Sequence, residues 1–160
     1  MAYLDKNEYK SILDNVTNVR LAKKKRFFME NVFQNDKSFS GTDKIYYMWG
    51  NVKMKKGEHF YKQGDPITAV YVIKKGDVRL YKKVFQKEHN GGVTTIVNNH
   101  ELMKKAKILV DIEISHLSSG EFVGEIEIPF ERYATNRNHA AIALSDVTAF
   151  KITRDLWSKA

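Results

Sequence analysis

The stretch GEFVGEIEI, residues 120–128, sets two glycines and three glutamates among apolar residues in a chain whose formal net charge is +8. A carboxylate on such a backbone can accept the proton of a hydroxyl group. No single element fixes the geometry of a carboxylate pair, and no nucleophile has a nearby base defensible from sequence. The chemistry that remains is binding. Histidines 59, 89, 100, 116 and 139 lack the close spacing of metal ligands, so no metal is expected. The basic cluster AKKKR at 22–26 suits a solvated helix face, with phosphate contact or an import signal as its alternatives. Trp49 and Trp157 are expected to anchor a core or a cap.

The elements that hold these residues must come from a chain of 160 residues, enough for one ordinary domain. Hydrophobic residues at 42% and charged ones at 29% give the balance of a globular protein. No apolar run reaches the length of a membrane span, and MAYLDKNEYK lacks the apolar centre of a signal peptide. Zero cysteines exclude disulfides and thiolate zinc sites and agree with a reducing, cytoplasmic setting. The excess of 27 Lys+Arg over 19 Asp+Glu is compatible with nucleic acid, an anionic lipid surface or a small anionic ligand, and equally with lysine-rich solvated faces.

From residue 6 to residue 33 apolar residues recur at mixed three- and four-residue steps without proline or glycine, which predicts two helices broken near 21–25. The polar run QNDKSFSGTDK (34–44) follows as a link, with Ser40 or Thr42 placed to cap a short helix over 45–49. After Gly50 the texture changes. MKKGEHFYKQGDPITAVYVIKKGDVRLYKK alternates apolar and polar residues between the turn signals KKG, QGDP and KKGD, as in an antiparallel sandwich or barrel. Gly57, Gly64 and Gly76 fall where tight turns need a positive φ. Residues 85–106 lose this rhythm and read as an inserted hairpin or loop, with GGVTTIVNN a possible strand and HELMKKAK a helical turn or loop. Strict alternation resumes in KILVDIEISHL (107–117), with Ile108, Val110, Ile112 and Ile114 on one face. HAAIALSDVTAFKI (139–152) supplies two more strands, and TRDLWSKA starts a final helix.

This order of turns resembles the cyclic-nucleotide-binding domain family, the jelly-roll modules of cAMP- and cGMP-dependent kinases, gated channels and bacterial catabolite activators. KKGEHFYKQGDPITAVYVIKKGDVRLYKK is similar to the family's first half: a Lys-Gly-Glu turn, a strand, a Gln-Gly-Asp turn, then Ile-x-x-Gly-x-Val. Val123-Gly124-Glu125-Ile126 is similar to the start of its phosphate-binding cassette, and Arg137, counted back from the turn Ser145-Asp146-Val147, falls on the cassette arginine. The resemblance implies an eight-stranded jelly-roll β-barrel over 45–160, flanked by an N-terminal helical segment and linker (1–44) and a truncated C-terminal helix. It also implies that Glu125 accepts the ribose 2′-hydroxyl and that Arg137 pairs with the cyclic phosphate, for which a planar fork of donors is well shaped. Backbone N–H groups over 125–127 and at Asn138 would complete the phosphate site.

The chain departs from the family pattern at three places. Glu127 stands where the family has alanine, close to the phosphate, and would repel it unless the side chain turns to solvent. The run IPFERYATN is about three residues longer than the family's, which makes Arg132 a rival to Arg137. His139 follows neither the Thr/Ser nor the Ala rule that separates cGMP from cAMP sites. The expected ligand-binding set is Gly124, Glu125, Ile126, Glu127, Arg137, Asn138 and His139. The expected function is a non-enzymatic regulatory module that binds cAMP or cGMP and relays the signal by helix movement to a protein effector or the rest of a larger chain. No cofactor, nucleic acid or membrane insertion is implied. The alternative is a degenerate domain of the same fold that binds no ligand and serves as a protein-interaction scaffold.

Overall fold

The computed structural model describes residues 5–34, 44–89, 92–94, 108–128 and 135–157. The candidate caps Ser40 and Thr42, the run HELMKKAK and the rival Arg132 lie outside them. The chain starts with helix α1 (Lys6–Phe27), where Asp5 and Glu8 form a reciprocal capping box that closes the first turn. A π-helical turn (Phe28–Val32) continues α1 directly, so the two helices expected from the apolar spacing are one, and the irregularity lies after Phe27 rather than at 21–25. A short helix α2 (Lys44–Met48) precedes the strands.

Among the described residues nine strands follow: β1 (Gly50–Met54), β2 (His59–Tyr61), β3 (Ala69–Lys75), β4 (Val78–His89), β5 (Gly92–Thr94), β6 (Ile108–Leu117), β7 (Phe122–Val123), β8 (Ala140–Ala143) and β9 (Val147–Thr153). A last helical turn, α3, covers Arg154–Trp157. The strands form two antiparallel sheets, one ordered β1-β9-β3-β7 and the other β2-β8-β4-β5 with β6 also on β4. This corrects the expected eight-stranded closed barrel. No ladder joins the two sheets among the described residues, so they face each other as a sandwich.

Alternation along the strands builds two cores. Ala69, Tyr71 and Ile73 of β3, with Val147 and Ala149 of β9, face Phe60, Tyr61, Val78, Leu80, Ala141 and Ala143 of the opposite sheet. The other faces of β3 and β9 carry Val70, Val72, Phe150 and Ile152, and pack under the helices with Phe28, Tyr46 and Trp49. The first five residues of β3, AVYVI, are therefore all buried, because that stretch is covered on both faces, and the strand ends in two exposed lysines. Phe28 is the centre of the helical layer, with ring centroids 5.2 Å from Trp49, 5.3 Å from Phe150 and 5.8 Å from Tyr46. Burying one such ring contributes about 1.5–3 kcal/mol.

The basic cluster at 22–26 ends α1 and is not a uniformly solvated face. Lys24 reaches across to α2 and donates through Nζ to the carbonyls of Tyr46 (3.0 Å) and Trp49 (2.6 Å). That satisfies carbonyls at a helix end, where a cation is well placed. Burial pushes the Lys24 ammonium below its ordinary range. Arg26 pairs on the surface with Glu30 at 2.8 Å. Trp49 is buried and meets Trp157 edge to face at 6.0 Å, so the two tryptophans tie the helical layer together.

Candidate functional site

Three strand ends and one loop converge on Arg137. The turn at 63–66 holds its backbone: Gly64 N–H donates to the Arg137 carbonyl (2.8 Å), Arg137 N–H donates to the Asp65 carbonyl (2.8 Å), and Ile67 N–H donates to Thr135 (3.1 Å). Asn136 adds a side-chain bond from Nδ2 to the Gly64 carbonyl at 2.9 Å. The QGDP signal thus does more than turn the chain. It fixes where the arginine leaves the backbone.

Strand β7 delivers the opposing wall. After Val123 the chain turns through Gly124 at φ +86°, and Ile128 N–H closes a turn onto the Glu125 carbonyl at 3.1 Å. The Gly124 carbonyl accepts a hydrogen bond from Arg137 Nη1 at 2.6 Å. A Cβ at position 124 would lie 2.7 Å from the same nitrogen, so the guanidinium occupies the space that any other residue would fill. Nη2 donates to the Ala69 carbonyl at the start of β3, and the guanidinium carbon sits 4.1 Å from the Tyr61 ring centroid.

Glu127 turns inward. Its Oε2 accepts from Arg137 Nη1 at 2.6 Å, and both side chains are almost wholly buried. Its Oε1 accepts from the Asn138 backbone N–H at 3.1 Å and lies 3.0 Å from His139 Nδ1. Burial alone would raise the Glu127 carboxyl, but the hydrogen bonds from His139 and Arg137 outweigh it and hold the group below the ordinary carboxylate range. His139 Nδ1 also faces Asn138 Oδ1 at 2.6 Å, and Nε2 meets the Tyr61 hydroxyl at 2.8 Å. With a proton on Nδ1 facing Glu127 and Asn138, Nε2 can accept from the Tyr61 hydroxyl. Burial pushes the Tyr61 phenol well above its usual value.

The result is a buried chain Tyr61–His139–Glu127–Arg137, assembled around the Gly124 backbone. Two buried side-chain atoms at this site have no hydrogen-bond partner among the described residues: Arg137 Nε within the chain and Glu125 Oε2 beside it. Burial pushes the Glu125 carboxyl up, against its own backbone hydrogen bond, and the neighbouring charge of Glu127 adds to the rise. Among the described residues no group of three potential metal ligands is close enough to hold an ion.

Of the residues expected from sequence, Gly124, Glu125, Glu127, Arg137 and His139 come together. Asn138 contributes its backbone N–H, which is spent on Glu127, and its exposed side chain touches His139. Ile126 is 53% exposed and points away from the chain of contacts. Glu127 does not turn to solvent, the condition under which its charge would have left a phosphate undisturbed. Tyr61 and the Ala69 carbonyl were missed. The only signal for Tyr61 is its inward phase on β2 just before QGDP.

Residues 51–160 match the sequence profile of the "Cyclic nucleotide-binding domain". No curated protein sequence matches the chain. Among solved structures, the regulatory domain of Toxoplasma gondii PKA, crystallised with cAMP, aligns over 98% of the chain and 51% of its own length, at 14% identity and a TM-score of 0.65. The regulatory subunit of a cAMP-independent protein kinase A from Trypanosoma brucei aligns over 94% and 46%, at 14% identity and a TM-score of 0.59. A cAMP-bound PfPKA-R fragment aligns over 99% and 43%, at 20% identity and a TM-score of 0.54. The chain spans about half the length of these structures or less. At such identities the likeness is one of fold.

Proposed function

Because the chain belongs to the cyclic nucleotide-binding domain family, we propose that it is a non-enzymatic, cytoplasmic regulatory module that takes a ligand of the cyclic-nucleotide type between Gly124–Glu125 and Arg137 and answers by moving its helices. The single observation that carries this reading is the pair of unpartnered buried atoms, Glu125 Oε2 and Arg137 Nε, an acceptor and a donor left open beside the buried network. A buried polar atom without a partner costs about 1–3 kcal/mol, and a bound ribose hydroxyl and a ligand oxygen would remove that cost.

The route to the helices is short. Phe122, two residues before Gly124, lies 6.4 Å from Trp49 and 5.6 Å from Trp157 between ring centroids. A Cβ on Gly120, in the turn that leads into β7, would lie 2.5 Å from the Asn31 carbonyl of the π-helical turn. A shift of the cassette therefore presses on α2, α3 and the end of α1. A protein effector, or a further part of a larger chain, would read that movement as a change in helix arrangement, provided the ligand favours one arrangement.

Titration calorimetry with cAMP and cGMP on the wild type and on Arg137→Lys tests this. The lysine keeps the charge but loses the fork, so binding should fall by about tenfold or more. Absence of heat and of thermal shift at millimolar ligand, for cyclic nucleotides and the matching nucleosides alike and with the protein folded, would remove the ligand-binding reading. The second reading, a scaffold without a ligand, is favoured by the Glu127 carboxylate on Arg137. Structural neighbours named both as cAMP-bound and as cAMP-independent leave room for either.

A further inference from the structure

We infer that Glu127 is a built-in anion that fills the phosphate position of the cassette, so that the site prefers an uncharged, hydroxyl-bearing nucleoside over a nucleoside cyclic monophosphate. This rests on the ligand-binding reading above and specifies its ligand class.

Arg137 brings one positive charge and three nitrogens to the site. Nη1 is shared between the Gly124 carbonyl and Glu127, and Nη2 is held by Ala69. Of the three nitrogens, Nε alone has no partner among the described residues. The Asn138 backbone N–H, which the family resemblance would aim at a phosphate, already donates to Glu127 Oε1. A phosphate entering here finds its two principal donors engaged by a carboxylate of its own sign.

Displacing that carboxylate is an exchange of one anion for another. Glu127 would leave Arg137, Asn138 and His139 together. Glu125, whose carboxyl already feels the Glu127 charge, stands at the same site. If Glu127 stays, the phosphate sits close to two carboxylates while Arg137 is already committed to one of them, and like charges repel strongly where water is excluded. An uncharged ligand meets neither obstacle. A ribose hydroxyl can donate to Glu125 Oε2 and a ligand oxygen can accept from Arg137 Nε, with the Glu127–Arg137 pair intact.

The test is a calorimetric comparison of adenosine, guanosine, cytidine and uridine with their cyclic 3′,5′-monophosphates on the wild-type chain and on Glu127→Gln and Glu127→Ala. In the wild type at least one nucleoside is expected to bind about tenfold or more tightly than its own cyclic monophosphate, a difference of about 1.4 kcal/mol. In a folded Glu127 variant the ratio should shrink or invert. A wild type that binds a cyclic monophosphate more tightly than the matching nucleoside overturns the inference and leaves the proposed function standing. A folded wild type that binds none of the eight compounds overturns both. The wild-type arm decides the matter even if both variants fail to fold.

Discussion

The guanidinium of Arg137 lies directly against the backbone of Gly124, where a Cβ would stand 2.7 Å from Nη1. Gly57 offers the matching control, since its φ is +88° and nothing lies within 4 Å of its missing Cβ. Gly57→Ala should cost only the left-handed backbone strain, about 1–2 kcal/mol. Gly124→Ala adds displacement of a buried charged group and should cost at least about 1 kcal/mol more. Urea denaturation of the two variants measures the difference, and equal midpoints would show that the arginine is not packed on the glycine.

Removing the Glu127 charge leaves Arg137 buried without its counterion. Glu127→Gln should lower stability at neutral pH by up to about 3–5 kcal/mol, the range for breaking a buried pair. The sign with pH follows from a carboxyl held below its unfolded value. The stability it supplies is present above the ordinary carboxylate range and is lost as pH falls through the folded-state value. The wild type should therefore lose more stability than Glu127→Gln between neutral pH and about pH 3, measured by melts at stepped pH.

Glu125 should behave in the opposite sense. Its carboxyl is raised, chiefly by burial, so the ionised form disfavours the fold and the penalty grows as pH rises through the carboxylate range. Glu125→Gln should leave stability unchanged in acid and raise the melting temperature by about 1–3 °C at pH 7, a modest gain because the group is partly solvent-screened. A lower melting temperature at pH 7 would mean that the ionised carboxylate is better satisfied than its unpartnered oxygen indicates.

Lys24→Met keeps the apolar stem and removes the two carbonyl contacts to Tyr46 and Trp49. Leaving those carbonyls short of a donor should cost about 1–3 kcal/mol. Amide exchange in the last turns of α1 should accelerate more than exchange in β3 and β9, because α1 has no buried residue of its own and depends on this docking. Uniform acceleration throughout would mean that Lys24 supports the whole sandwich instead.

The strands and their glycine turns were legible because each turn carries its own local chemistry, and β3 declared itself by five apolar residues in a row. The placing of Gly124, Glu125 and Arg137 in one site was expected from the motif resemblance, whereas the bond from Arg137 to the Gly124 carbonyl was not. Neither was the direction of Glu127. Its partners Arg137 and His139 are in turn held by the Ala69 carbonyl and Tyr61, which lie more than 50 residues from Glu127 in sequence and come near only through the fold. Alternation in β6 was equally visible, yet Ile112 and Ile114 are 39% and 51% exposed. The register of β4 and β6 shifts between Leu80 and Tyr81, so an even alternation does not map onto one continuous face. Whether two sheets close into a barrel is set by edge pairings that no local pattern encodes.

The π-helical turn accounts for the apolar spacing that a regular helix could not. Phe28 and Phe33 are five residues apart, which in an α-helix is about 140° around the axis and puts them on different flanks. The wider turn, closed by the Phe33 N–H to Phe28 carbonyl bond of 2.9 Å, brings the rings to 6.0 Å from each other. One residue of extra winding thus resets the azimuth of the chain as it leaves the helix. Deleting one residue of 29–32 would restore a regular pitch and leave the two phenylalanines four residues apart, about 40° around the axis, so the shared flank would survive while the chain beyond it lost the extra winding.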